Sequence, residues 1–214
     1  GTANLLVEAW KETGGQQSFP AWLQASRKLL LHSGGQSRRL PAYAPGGKIL
    51  MPVPVFRWSR GQKLDQSLLD LALPDYSRVL AHGGAKTVAM LVSGDTLIRV
   101  PAELPAFPDV DVLGLGMWGT PEKAKDFGCF FTPRGKPNEI AFFLQKPAPA
   151  RTRELAQQHL FMFDTGMWLL SERAVQVLLE RCGWDARAGQ FAGGRAANYE
   201  FYSRFALALG TQPT

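Results

Sequence analysis

Leu29-Leu30-Leu31-His32-Ser33-Gly34-Gly35-Gln36-Ser37-Arg38-Arg39-Leu40, continuing through Pro41-Ala42-Tyr43-Ala44-Pro45-Gly46-Gly47-Lys48, decides how the rest of the chain is read. An apolar run that stops at a glycine pair, passes two arginines and ends at a glycine-flanked lysine has the pattern of a buried strand feeding an anion-binding loop. Gly34 and Gly35 let backbone N–H groups converge on an anion. Arg38 and Arg39 bring planar forks that bond two phosphate oxygens at once, and Lys48 brings a mobile point charge. The residue after Lys48 is Ile49, so no hydroxyl stands where a Walker loop holds Mg²⁺, which disfavours a P-loop kinase or ATPase. The alternative for the same residues is a plain glycine turn with solvated arginines.

Working outward, 214 residues with 45% apolar composition suffice for one α/β domain with a sizeable core. The formal charge of +6 favours anionic ligands. The basic residues are dispersed, without a Lys/Arg block, which points to small phosphorylated molecules and not to nucleic acid. Cys129 and Cys182 are isolated, with no CxxC spacing, so neither zinc nor a disulfide framework is expected. No apolar run has the length of a membrane span and no leader-like segment opens the chain, so the expectation is a soluble cytoplasmic protein. Its first and last residues give it the look of a piece excised from something longer.

Residues 4–10 and 20–28 read as short helices, giving an N-terminal helical segment 1–28 that packs outside a domain spanning 29–214. The prolines in Ile49-Leu50-Met51-Pro52-Val53-Pro54-Val55-Phe56 predict an extended wall segment. Apolar spacing from Leu64 to Leu80 predicts a helix, either kinked at Pro74 or restarted there. Thr87-Val88-Ala89-Met90-Leu91-Val92 reads as a strand covered on both faces, delivering Asp95 to its end. Strand-like 110–118 follows, then a hairpin from 128–131 and 140–144 that empties into Gln145-Lys146-Pro147. A polar helix near 151–158 leads to a strand at 159–163, ending at Asp164-Thr165-Gly166. Ser171 caps a helix stopped by Gly183, and Tyr199 to Leu209 reads as a final amphipathic helix. Strands alternating with helices, with polar residues where strands end, indicate a Rossmann-like, doubly wound, mixed but mainly parallel sheet with its site at the carboxyl edge.

Two aspartates at strand ends, Asp95 and Asp164, have the chemistry to hold Mg²⁺, and Arg39, Lys48 and Lys146 add cations. Such a set suits phosphoryl-type transfer, where alignment and charge neutralisation do most of the catalysis. Each aspartate also fits a turn or cap role, and Lys146 a solvated loop. His32 reads as a core histidine, His82 and His159 have no catalytic partner in sequence, and Trp58 beside Arg57 and Arg60 is a candidate to stack on a purine.

The order Gly34-Gly35-x-x-x-Arg39-Leu40, Lys48, Ser93-Gly94-Asp95, Gln145-Lys146-Pro147 and Asp164-Thr165-Gly166 resembles the sugar nucleotidyltransferases. With Phe56-Arg57-Trp58, Leu73-Pro74 and the Tyr202 to Gly210 tail, residues 29–210 resemble more closely the GDP-L-fucose pyrophosphorylase portion of bifunctional fucokinase/GDP-fucose pyrophosphorylases. That resemblance implies a nucleotide-diphospho-sugar transferase fold and transfer of GMP from GTP to L-fucose 1-phosphate, giving GDP-L-fucose and pyrophosphate with Mg²⁺. It implies catalytic roles for Arg39, Lys48 and Asp95, and nucleotide binding by Gly34, Gly35, Gln36, Ser37 and Arg38. Lys146, Asp164 and Gly166 would meet the sugar phosphate, with Asp95 and Asp164 at the metal. Ser37-Arg38 stands where Gly-Thr is usual, and Gln145 where a glutamate is common. The bifunctional relatives carry a β-helical region and a sugar kinase downstream, so part of the sugar pocket is expected to lie outside this chain. The alternatives are a nucleotidyltransferase with another phosphorylated acceptor, or a nucleotide-binding regulatory module without turnover.

Overall fold

The computed structural model describes residues 1–33, 42, 47–53 and 66–214. The elements are α1 (Thr2–Thr13), α2 (Phe19–Ala25), β1 (Lys28–His32), α3 (Leu68–His82), β2 (Thr87–Ser93), β3 (Val112–Met117), β4 (Gly128–Pro133), β5 (Phe142–Gln145), α4 (Pro149–Leu155), β6 (His159–Ser171), α5 (Glu172–Arg181), β7 (Trp184–Asp185) and β8 (Gln190–Phe191). The chain divides into two compact units, one of residues 1–15, 114–165 and 175–214, the other of residues 16–113 and 166–174.

The second unit is built on β1 and β2, which run parallel with Leu30 opposite Leu91 and His32 opposite Ser93. In β2, Val88 to Val92 are buried on both faces, as a continuous apolar run requires, whereas in β1 Leu30 is buried and Leu29 and Leu31 are partly buried. The long connection between them contains α3, whose N-terminus is closed by a capping box between Ser67 and Asp70. The helix runs through Pro74 without restarting. Its buried face of Leu68, Leu71, Ala72, Tyr76 and Val79 offsets the one backbone hydrogen bond that Pro74 cannot donate. At the other end of α3, the Arg27 guanidinium donates to the carbonyls of Leu80, Ala81, Gly83 and Gly84 at 2.7–3.1 Å. One side chain just before β1 thus satisfies the open carbonyls that end α3.

The first unit centres on β4 and β5, an antiparallel hairpin with Phe130 opposite Phe143. The start of β6 pairs antiparallel with the other side of the register, Cys129 opposite Phe163. Ala124, Cys129, Phe131, Ala141, Phe142 and Phe163 form a buried cluster walled by Phe127, Leu144, Leu155 and Phe161. Stacked ring pairs Phe131–Phe142 and Phe127–Phe163, at 4.9 and 4.8 Å, give that core its order.

The sheet order is β1-β2-β6-β4-β5, with β3 also on β6. Among the described residues β1 and β2 pair in parallel, and the pairings β2–β6, β4–β5 and β4–β6 are antiparallel. The expected mainly parallel sheet is therefore corrected to a mixed α/β arrangement that is mainly antiparallel. The short 134–141 connector makes β4 and β5 a hairpin, whereas the β1–β2 connection is long enough for a parallel crossover. A second correction concerns β6, which does not stop at Phe163. It continues to Ser171, pairing first with β4 and, from Met167, with β2. Asp164-Thr165-Gly166 is thus the point where one strand changes partners, and no turn. Ser171 does cap α5, accepting from the Ala174 N–H at 3.1 Å. The C-terminal segment forms a π-helical turn at Phe201–Phe205 and a 3-10 turn at Ala206–Ala208 in place of the expected long amphipathic helix.

Candidate functional site

The parallel register brings the carboxyl ends of β1 and β2 level, and the Gly94 N–H donates to the His32 carbonyl at 3.0 Å just beyond them. Ser33, the residue from which the glycine loop departs, sits in this corner. Gly94 and Gly47 both close on it. A Cβ on Gly94 would lie 3.0 Å from the Ser33 Cα, and one on Gly47 would lie 3.1 Å from the Ser33 Cβ. Gly47 also has φ of 73°, a left-handed conformation that favours glycine. The residues that follow these two glycines are Lys48 and Asp95, and their side chains meet: Lys48 Nζ donates to Asp95 Oδ2 at 2.9 Å. Absence of a side chain at two positions is what lets a loop lysine and a strand-end aspartate converge beside the tip of β1.

Ser93 Oγ donates to the other carboxylate oxygen, Oδ1, at 2.8 Å. Burial would raise the Asp95 pKa, but the hydrogen bonds and charge of Lys48, with help from Ser93, outweigh it and hold the carboxyl below the usual aspartate range. Beneath the turn, the Tyr76 hydroxyl from α3 lies 3.2 Å from the Ser93 carbonyl and 3.3 Å from that of Thr96. Burial raises the Tyr76 pKa, against a Thr96 hydrogen bond that lowers it, and the Asp95 charge adds to the rise. The Lys48 and Asp95 side chains remain 30% and 47% exposed, open to a ligand from solvent. An ion pair this exposed contributes little to stability, about 0–1 kcal/mol. It is better suited to binding: an ionised carboxylate and an ammonium side by side can accept a cation and a phosphate oxygen.

The glycine loop residues Gly34, Gly35, Gln36, Ser37, Arg38 and Arg39, and the stacking candidate Trp58, lie outside the described residues. Lys146 and Asp164 belong to the first unit. Lys146 is exposed at the end of β5, its N–H donates to the Phe127 carbonyl at 3.0 Å, and its backbone is left-handed, with φ of 52°. Asp164 is half-buried inside β6, close enough to Cys129 that its charge, after burial itself, helps to push that thiol up to about 12. Gly166, in the second unit, has φ of 77°, and a Cβ there would lie 2.8 Å from the Ser93 Cβ. Among the described residues no cluster of three or more His, Cys, Asp and Glu forms a ready metal cage. His82 meets the Pro105 carbonyl at 2.8 Å and packs on Phe107, and His159 meets the Leu155 carbonyl at 3.3 Å, which accounts for both structurally. Ser93 had no role from sequence, although a serine two residues before a strand-end aspartate is spaced for this hydrogen bond.

A parallel strand pair whose carboxyl ends bring a lysine and an aspartate together, in a sheet otherwise mainly antiparallel, defines a mixed α/β protein. The fucose pyrophosphorylase domain model matches residues 21–209. The chain belongs to that family. It is 44% identical over 213 residues to an L-fucokinase/L-fucose-1-P guanylyltransferase of Bacteroides fragilis; the alignment covers all of this chain and 22% of that relative. The remaining length of the relative has no counterpart in these 214 residues.

Proposed function

We propose that this chain is the guanylyltransferase part of a longer protein, joining GTP and L-fucose 1-phosphate into GDP-L-fucose and pyrophosphate. The observation that carries the reading is the Lys48–Asp95 pair at the carboxyl ends of β1 and β2, beside the residue that leads into the glycine loop. The relative supports the choice of base and sugar, since its name pairs fucokinase with L-fucose-1-P guanylyltransferase. In the reaction a phosphate oxygen of fucose 1-phosphate attacks the α-phosphorus of GTP in line. The bond from the α-phosphorus to the β-bridging oxygen breaks, and its electron pair leaves with pyrophosphate. Lys48 holds the triphosphate and offsets charge developing on the leaving group. Gly34, Gly35, Gln36, Ser37 and Arg38 are assigned to the nucleotide and Arg39 to the reacting centre on the likeness, with glycine and arginine the residue types that suit phosphate. Lys146, Asp164 and Gly166 are assigned to the sugar phosphate on the likeness alone.

Mg²⁺ fits this site. Asp95 is an ionised, accessible carboxylate, and Mg²⁺ at phosphates is commonly held by one or two carboxylates, substrate oxygens and water, without an all-protein cage. When bound, it would neutralise phosphate charge. The β1–α3–β2 unit is the portion of a doubly wound nucleotide fold that we assign to GTP. Residues 29–214 form the transferase domain, with 1–28 as a helical addition and a sugar kinase elsewhere in the parent chain. No described helix is long and apolar enough to cross a membrane, and the free, buried Cys129 and Cys182 suit a reducing cytoplasm.

The test is exchange of labelled pyrophosphate into GTP, driven by GDP-fucose and Mg²⁺. Asp95→Ala and Lys48→Ala should each lower exchange by about 10²-fold or more while the protein stays folded. Exchange unchanged in a folded Asp95→Ala protein removes Asp95 from the reaction. GTP binding by calorimetry with no exchange identifies a binding module, and exchange with a different nucleotide sugar reassigns the acceptor.

A further inference from the structure

We propose that Ser93 is a positioning residue for the Lys48–Asp95 pair, and that position 166 is glycine so that Ser93 can take up this post. The inference rests on the guanylyltransferase reading only for what the pair does in turnover; the geometry stands apart from it.

Asp95 is reached from two sides. Lys48 Nζ holds Oδ2 at 2.9 Å and Ser93 Oγ holds Oδ1 at 2.8 Å, so both carboxylate oxygens have a donor. Lys48 has four rotatable side-chain bonds and is a donor that a triphosphate would compete for. Ser93 is the last residue of β2, with its backbone locked by the parallel register to His32 and its carbonyl beside Tyr76 and Thr96. Of the two donors, only Ser93 is fixed to the sheet. When a phosphate draws Lys48 away, the serine hydroxyl still sets the plane of the carboxylate. Without it, a side chain nearly half exposed is free to visit its other rotamers, and the geometry is no longer prepared in advance.

Gly166 supplies the space. In the middle of β6, where the strand changes partners, it takes φ of 77° and faces Ser93 so closely that a Cβ would come within 2.8 Å of the Ser93 Cβ. That atom belongs to a residue held on its strand, with no flexible end to swing aside. A methyl at 166 therefore displaces Ser93 and, through it, Asp95. The two residues form one device, in which Gly166 bears on Asp95 through Ser93.

A double-mutant cycle reads this coupling. Ser93→Ala should lower kcat for pyrophosphate exchange by about tenfold, as expected for loss of a hydrogen bond to a charged group, with KM for GTP changed less than about twofold. Gly166→Ala should lower kcat similarly, and the double variant should lose about tenfold and not the hundredfold of independent sites. The melting temperature of Ser93→Ala should stay within about 3 °C of the parent, whereas Gly166→Ala should lose more because of its left-handed backbone. A second readout needs no turnover: a crystal structure of Ser93→Ala with pyrophosphate bound should show Asp95 rotated away from the position it takes here. Full kcat in Ser93→Ala, multiplicative losses in the double variant, or an unmoved Asp95 in that crystal structure would each overturn the proposal. If the parent protein shows no exchange at all, the guanylyltransferase reading fails, while the Asp95 geometry in Ser93→Ala still decides the positioning role.

Discussion

At the scale of single residues, Asp95 and Lys146 each carry an energetic signature that can be measured. The folded-state pKa of Asp95 is lowered from 3.8, the net outcome of burial that raises it against hydrogen bonds from Lys48 and Ser93 and the Lys48 charge, which lower it. A carboxyl with a depressed folded pKa stabilises the fold above its unfolded pKa, and that contribution disappears as pH falls through the folded value. The stability difference between the parent protein and Asp95→Asn should therefore be constant at neutral pH and shrink below about pH 4. Melting curves recorded across pH check this, and a gap that persists at lower pH would show that the amide changes something other than charge. Lys146 has the one left-handed non-glycine backbone among the described residues, immediately before Pro147. A side chain kept in such a conformation costs of order 1 kcal/mol, a cost that glycine would not carry. Lys146→Gly should raise the melting temperature by about 2–4 °C and raise KM for fucose 1-phosphate without raising KM for GTP. An unchanged sugar-phosphate KM would take Lys146 out of that pocket.

At the scale of elements, composition and periodicity revealed where strands and helices lie, and much less about how they pair. The Leu29–Leu31 and Val88–Val92 runs, the 128–145 hairpin and the Ser171 cap were all legible, because each is a local pattern whose burial or hydrogen bond depends on neighbours in sequence. Strand direction was not, since an apolar run looks the same whichever way its neighbour points. The alternation of helices with strands suggested parallel crossovers throughout; the crossover paired in the sheet as parallel is the one carrying α3. Asp164-Thr165-Gly166 has turn composition, yet it lies within β6 because pairing with β4 before it and β2 after it holds the chain extended on both sides. The same limit applied to the site. Lys48 and Asp95 were legible as residues at strand and loop ends and the Ser93 bond to Asp95 is local in sequence, whereas the approach of Gly166 to Ser93 depends on register and on a backbone φ of 77°, which no local motif displays.

At the scale of the whole molecule, the 24 Lys and Arg residues against 18 Asp and Glu give a net charge of +6, and both proposed substrates are anions. Dispersed positive charge does not choose a substrate, but it raises the encounter rate with a triphosphate at distances where no contact yet exists. That contribution acts over roughly the Debye length, about 10 Å at 0.1 M salt, and is screened as salt is added. The Lys48–Asp95 pair acts differently, since at 2.9 Å its donor and acceptor are in contact and added salt weakens it less. The two effects separate in the kinetics. Raising KCl from about 0.02 to 0.3 M should lower kcat/KM for GTP by roughly three- to tenfold while kcat changes little. In Lys48→Ala, kcat should fall at every salt concentration and the salt slope of kcat/KM should remain close to that of the parent, because one charge of a dispersed field has been removed. A flat salt profile in the parent protein would assign all the electrostatic work to contact pairs, and a slope abolished by Lys48→Ala would place the whole field in that single lysine.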